Sequence, residues 1–162
     1  MKKYAPIFLQ LFIVLFDIIV LAALIRLPLT EGRAANLDIL HIYTDPFILY
    51  FYAISIPFFI ASYQLFILLG MIRKNQIFSL PALQTMTSIR KKALLLCVLI
   101  GLAGLYIRLF HDKNDDPVGF LVLCAATILL LLVITAATTL FATIIQKGID
   151  LSLEKKPENT VE

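Results

Sequence analysis

The sequence predicts an all-α integral membrane protein, a four-helix bundle with both termini in the cytoplasm. Three observations predict it. Of the 162 residues, 60% are hydrophobic and 15% charged. The apolar residues gather in four long runs, and the basic residues crowd at one set of run ends. So apolar an exterior would aggregate in water, so the bilayer is the fitting solvent. The bilayer's hydrocarbon core, about 30 Å thick, takes roughly 20 helical residues to cross.

The runs cover residues 6–25, 47–72, 93–110 and 118–145. Each is apolar all round rather than alternating, which favours helices over barrel strands. Together they define one transmembrane domain over residues 1–147, with residues 148–162 as a cytoplasmic tail. The first run follows Lys2 and Lys3, as a signal peptide does. Its length exceeds the roughly 7–15 residues of a signal core, and no small-residue cleavage site follows closely, so it reads as a retained span. Pro57 removes a backbone donor from the second run and predicts a kink. Gly101 and Gly104 of the third, with Cys97 one turn below, let a neighbouring helix approach closely. Asp116 and Pro117 read as the N-cap and first-turn proline of the fourth.

Orientation follows from the basic residues. With the N-terminus inside, Lys2, Lys3, Arg73, Lys74, Arg90, Lys91, Lys92, Lys147, Lys155 and Lys156 fall on the inner side. Arg26, Arg33, Arg108 and Lys113 fall outside. That bias places both termini, and the segment between the second and third runs, in the cytoplasm. A net charge of +3, clustered beside apolar runs, argues against direct nucleic-acid binding.

The inner segment, "RKNQIFSLPALQTMTSIRKK", is a polar island. Lys74 and Asn75 stop the second helix, and Ser79 caps a helix in which Pro81 comes early. Leu83, Met86 and Ile89 then recur at helical spacing. This amphipathic stretch has two readings. In one, Arg90, Lys91 and Lys92 anchor a solvated hairpin to anionic headgroups. In the other, Leu83, Met86, Ile89, Arg90, Lys91 and Lys92 form a docking face for a soluble partner.

Enzyme signatures are missing: no paired CxxC units, no HExxH, no phosphate-binding or dinucleotide glycine pattern. The chain reads as a non-enzyme without cofactor or metal. "DKNDDP" places Asp112, Asn114 and Asp116 like a calcium loop, but Pro117 stands where glycine is needed and Leu123 where glutamate is needed. His41, Asp45, His111, Asp112, Asp115 and Asp116 read as solvated turns rather than ligands. Cys97 and Cys124, at opposite ends of neighbouring spans, are too far apart in depth for a disulfide and read as packing residues.

Asp17 lies near the middle of the first span, where a carboxylate needs a partner. Gln10 shares its face at seven residues. Ser55 and Ser62 repeat that spacing on the second span, and Thr135, Thr138, Thr139 and Gln146 form a stripe on the fourth. These residues predict an intramembrane polar seam that glues the helices. The alternative is a proton or cation path through Asp17.

The stretch from Tyr52, "YAISIPFFIASYQLFILLGMIRKNQIFSLPALQTMTSIRKKALLL", resembles the second span and hairpin of the YoaS-like bacterial membrane proteins, a four-helix domain of unknown function. The shared features are the proline-phenylalanine run ending in Tyr63-Gln64, then Lys74-Asn75, then Phe78-Ser79 before a basic entry to the third span. "DDPVGF" resembles the family's outer turn and "FATIIQKGIDL" its last helix end. The resemblance implies the bacterial cytoplasmic membrane. It also implies a neighbouring small helix-turn-helix regulator as a partner for the hairpin and tail. The function expected is therefore regulatory: a lipid-embedded protein that holds a soluble regulator. The other reading is a small permease built as a homo-oligomer around Asp17 and the polar seam.

Overall fold

The computed structural model describes residues 4–30, 46–110 and 118–154. Four helices account for nearly all of them: α1 Tyr4–Thr30, α2 Pro46–Arg73, α3 Leu80–Phe110 and α4 Val118–Glu154. Each is long and apolar enough to cross a membrane. Lys2, Lys3, the outer acidic and histidine positions (His41, Asp45, His111, Asp112, Asp115, Asp116) and residues 155–162 lie outside the described residues.

Neighbours in sequence pack as neighbours in space: α1 on α2, α2 on α3, and most extensively α3 on α4. The helices do not close into a symmetrical bundle. α2, α3 and α4 share a core at the hairpin end, made of Leu68, Ala82, Met86, Ile89 and Ile145. At the other end, the rings of Phe47 and Phe51 on α2 meet Phe120 on α4. α1 stands outside this group, and none of its described side chains is fully buried. Its less exposed positions are Pro6, Gln10, Ile13, Asp17, Val20 and Leu24. Their 4-3 spacing is a coiled-coil stripe facing one partner, α2.

The hairpin is built from local backbone chemistry. Asn75 takes a left-handed conformation with φ 56°. Gln76 N–H then donates to the Met71 carbonyl at 2.9 Å, and Asn75 N–H to that of Ile72 at 3.1 Å. These two bonds are a Schellman cap, which satisfies carbonyls the helix end leaves free. Ser79 Oγ accepts from the Ala82 N–H at 3.4 Å and opens α3. α2 runs without interruption through Pro57, where the Ala53 carbonyl loses its usual i+4 donor.

α4 does not stop at residue 145 but runs to Glu154, into the stretch read as tail. The reason is packing. Ile145 is 1% exposed, and Ile149, one turn on, lies against the same core. Gly148 lies under the Phe78 ring.

Candidate functional site

The hydrogen bonds between helices define a polar layer. On the α1 side of α2, Ser62 Oγ lies 2.7 and 2.8 Å from the two carboxylate oxygens of Asp17 and donates its one proton to the carboxylate. Gln10 Nε2 donates to the Phe66 carbonyl at 3.0 Å, over Gly70, where a β-carbon would sit 3.5 Å from that nitrogen. Tyr52 OH donates to the Leu24 carbonyl at 3.3 Å. Pro6, Ile13, Val20, Leu24 and the Phe16–Phe58 ring contact give α1 its apolar seat on α2, and these polar bonds, which outside water face little competition, fix its register there.

On the other side of α2, Gln64 Nε2 donates to Ser88 Oγ at 2.9 Å, and Lys92 Nζ donates to the same oxygen at 2.8 Å. Gln64 Oε1 is buried without a protein partner. Two residues along a helix are some 200° apart around its axis, so Ser62 faces α1 while Gln64 faces α3. Ser62 lies about 3 Å from Gln64 along α2, at 1.5 Å per residue. Asp17, Ser62, Gln64, Ser88 and the basic triplet therefore occupy one level of the helix array, within about a turn.

Not every polar residue joins this layer as expected. Gln10, Asp17 and Ser62 come together. Ser55 instead donates to the Tyr52 carbonyl of its own helix at 2.7 Å. Thr135, Thr138 and Thr139 donate to the carbonyls of Leu131, Ile134 and Thr135, also within their own helix. Gln146 is exposed. The α4 stripe fails to reach the seam because α4 packs chiefly on α3, and a hydroxyl in lipid satisfies itself most locally on the i−4 carbonyl.

The hairpin readings change too. Met86 and Ile89 are 6% and 5% exposed, and Leu83 packs beside them against α2 and α4. The face read as a docking face is thus occupied by the chain's own core. Arg90 and Lys92 are half-buried and Lys91 is exposed. Lys92 folds back onto Ser88 and does not extend as a free headgroup anchor. Sequence spacing marks Gln64 only as part of the Tyr63-Gln64 motif; its pairing with Ser88 depends on the α2–α3 register, which spacing does not fix.

Small residues seat α4 on α3. A β-carbon on Gly104 would lie 3.7 Å from Cys124 Cβ, and one on Gly101 would lie 4.0 Å from Ile128 Cδ1. Both cysteines are free. A cavity of about 290 Å³ opens between Pro46, Phe47, Tyr50, Leu102, Ala103 and Tyr106. The Tyr50 hydroxyl is committed to the Leu99 carbonyl at 2.8 Å, so this slot is suited to an apolar chain. Among the described residues no group of His, Cys, Asp and Glu could hold a metal.

The family model "Protein of unknown function (DUF2975)" matches residues 29–157, which leaves nearly all of α1 outside the match. The chain is also similar to the uncharacterized membrane protein YoaS of Bacillus subtilis (strain 168), 32% identical over 162 residues and covering 98% of each chain. No solved structure matches.

Proposed function

The chain belongs to the DUF2975 family, and from that premise we propose that it is a regulatory protein of the bacterial cytoplasmic membrane. Its hairpin and both termini face the cytoplasm, the orientation the basic residues favour even with the triplet Arg90, Lys91 and Lys92 left out of the comparison. It holds a soluble partner against the inner surface. The observation that carries this reading is the preformed hairpin. Asn75 and Ser79 cap its two helices, and Phe78 rests on Gly148. Arg73, Lys74, Phe78, Leu80, Lys147 and Leu151 are left exposed around it. A rigid surface loses little entropy on binding, and its basic rim steers an acidic partner. The contact moves from the Leu83, Met86 and Ile89 face to this exposed tip.

The family resemblance supplies a candidate partner, a small helix-turn-helix regulator. The test is binding of that purified regulator to nanodiscs carrying the protein, against empty nanodiscs. Phe78→Ala with Leu151→Ala should weaken binding about tenfold or more, as loss of two central apolar contacts does. Equal binding to empty discs rejects the reading.

One observation favours the permease alternative: polar groups face both sides of α2 at one level. The α4 threonines are turned to their own carbonyls, so a path would need further copies of the chain. Flux of protons or monovalent cations into proteoliposomes, abolished by Asp17→Asn, would replace the regulatory reading.

A further inference from the structure

We propose that the chain assembles with a second copy of itself by pairing Asp17 on α1 with Lys91 on α3, opposite charges held at one depth in the membrane. The depth follows from the helix register. Described residues of α1 continue from Asp17 back to Tyr4, about 20 Å at 1.5 Å per residue. In the other direction Arg26 lies about 14 Å away. Asp17 is therefore well inside a hydrocarbon core about 30 Å thick.

Lys91 shares that level. Gln64 and Ser88 are bonded and so are level with each other. Moving toward the outer ends, Ser62 is two residues beyond Gln64 and Lys91 three residues beyond Ser88. The rises are about 3 and 4.5 Å, so Lys91 and the Asp17–Ser62 pair differ by only about 1.5 Å.

Among the described residues neither charge has an ionic partner. A serine has one hydroxyl proton, so Ser62 cannot serve both oxygens of Asp17 at once, and the carboxylate keeps room for another donor. Asp17 is only half-buried. Lys91 is exposed, and no hydrogen bond or ion pair holds it among the described residues. It heads a stripe of exposed Leu95, Val98, Leu102 and Leu105 on a face that neither α2 nor α4 covers. The apolar part of that stripe is at home in lipid. The ammonium at its foot is not, because intramembrane charges face a partner or a polar cavity.

A second copy supplies the missing partner with a vertical mismatch of only about 1.5 Å. Two chains inserted the same way hold Asp17 and Lys91 at nearly the same depth, and a two-fold axis along the membrane normal makes the pair twice. On α1 the exposed Val14, Ile18 and Leu21 lie along one edge of the stripe that carries Asp17, within about 100° of it around the helix, and form the other half of the surface.

The test counts copies of the singly labelled full chain in liposomes by single-molecule photobleaching over a dilution series. Two lipid mixtures are used, phosphatidylcholine alone and with phosphatidylglycerol. The parent should be dimeric in both. Lys91→Gln and Asp17→Asn should each weaken association about tenfold, the size of one interhelical polar pair. Lys91→Asp should abolish it, and Asp17→Lys with Lys91→Asp should restore it. A parent that is monomeric at every density overturns the proposal, as does a Lys91→Gln variant that associates like the parent. Association that needs phosphatidylglycerol also overturns it, because a lipid phosphate then partners Lys91. Should the double charge swap fail to insert, the two neutral variants still decide.

Discussion

The Phe78 ring lies directly on the backbone of Gly148, joining the α2–α3 hairpin to the end of α4. A β-carbon on Gly148 would come within 2.5 Å of Phe78 Cδ1 and 2.7 Å of Cε1. No real side chain tolerates that approach, so any larger residue at position 148 makes the Phe78 ring move; the glycine serves space here rather than backbone freedom. The contact fixes the tip on which partner binding is proposed.

Gly148→Ala should therefore displace the Phe78 ring, with an overpacking cost of about 1–3 kcal/mol that a helix-propensity gain of up to about 1 kcal/mol offsets only in part, so the protein is destabilised. Phe78→Leu in the same chain should recover part of that loss by shortening the side chain. Thermal unfolding in detergent measures both. Gly148→Ala with unchanged stability would mean that the ring swings freely into solvent.

Met86 and Ile89 lie in the three-helix core, so truncating them is a packing lesion. Met86→Ala or Ile89→Ala should each cost about 2–5 kcal/mol, as buried large-to-small changes do. Both should lower yield and melting temperature whether or not any partner is present. A variant of normal stability that lost only partner binding would return the docking role to this face.

The four helices were legible because each announces itself by length and composition alone. The caps were legible too: Asn75 and Ser79 act locally, and their residue types carry the geometry. The Leu83, Met86 and Ile89 face was equally visible as apolar, yet periodicity cannot say what covers a face. Here α2 and α4 cover it, with Ile145 at the very end of the expected run and Ile149 one turn beyond it. The polar seam divides in the same way. Gln10 and Asp17, seven residues apart, lie on one stripe of α1, while the α4 threonines, equally polar in sequence, bond to carbonyls of their own helix. Side-chain chemistry was readable, and helix adjacency was not.

Asn75 ends α2 at φ 56°, a conformation that costs an ordinary side chain about 1–2 kcal/mol and glycine almost nothing. Asn75→Gly should leave stability unchanged or slightly raised. Asn75→Ala should lower it by about 1 kcal/mol, since asparagine tolerates this region better than alanine does. Equal stability of the two variants would show that the turn relaxes to another backbone form.

Gly104 tests how closely α3 and α4 must approach. A methyl group there meets Cys124 and Leu121 at 3.7–3.8 Å, an ordinary contact distance. Gly104→Ala should be tolerated, and the helix-propensity gain of up to about 1 kcal/mol should offset any small adjustment. Gly104→Leu has no such room and should separate the helices, with a loss of about 1–3 kcal/mol. If the leucine variant melts with the parent, the interface is looser than the Cys124 contact implies.

The Asp17–Ser62 bond should be worth more to α1 than its size suggests, because none of that helix's described side chains is fully buried. Ser62→Ala removes the donor and leaves the carboxylate in lipid without its partner. An interhelical hydrogen bond in a membrane contributes about 0.6–2 kcal/mol, and the stranded carboxylate adds to the loss. Asp17→Asn keeps an acceptor for the Ser62 hydroxyl and removes the charge, so it should cost less than Ser62→Ala. Asp17→Leu with Ser62→Ala replaces both partners by apolar groups and should recover much of the stability, since neither polar group is then left unpaired. Cysteines placed on the α1 and α2 stripes, in a chain with Cys97 and Cys124 replaced by alanine, report the contact by their rate of disulfide formation. The order expected is parent fastest, then Asp17→Asn, then Ser62→Ala, with the double variant above Ser62→Ala. A Ser62→Ala chain that cross-links as fast as the parent would show that apolar packing alone fixes the register of α1.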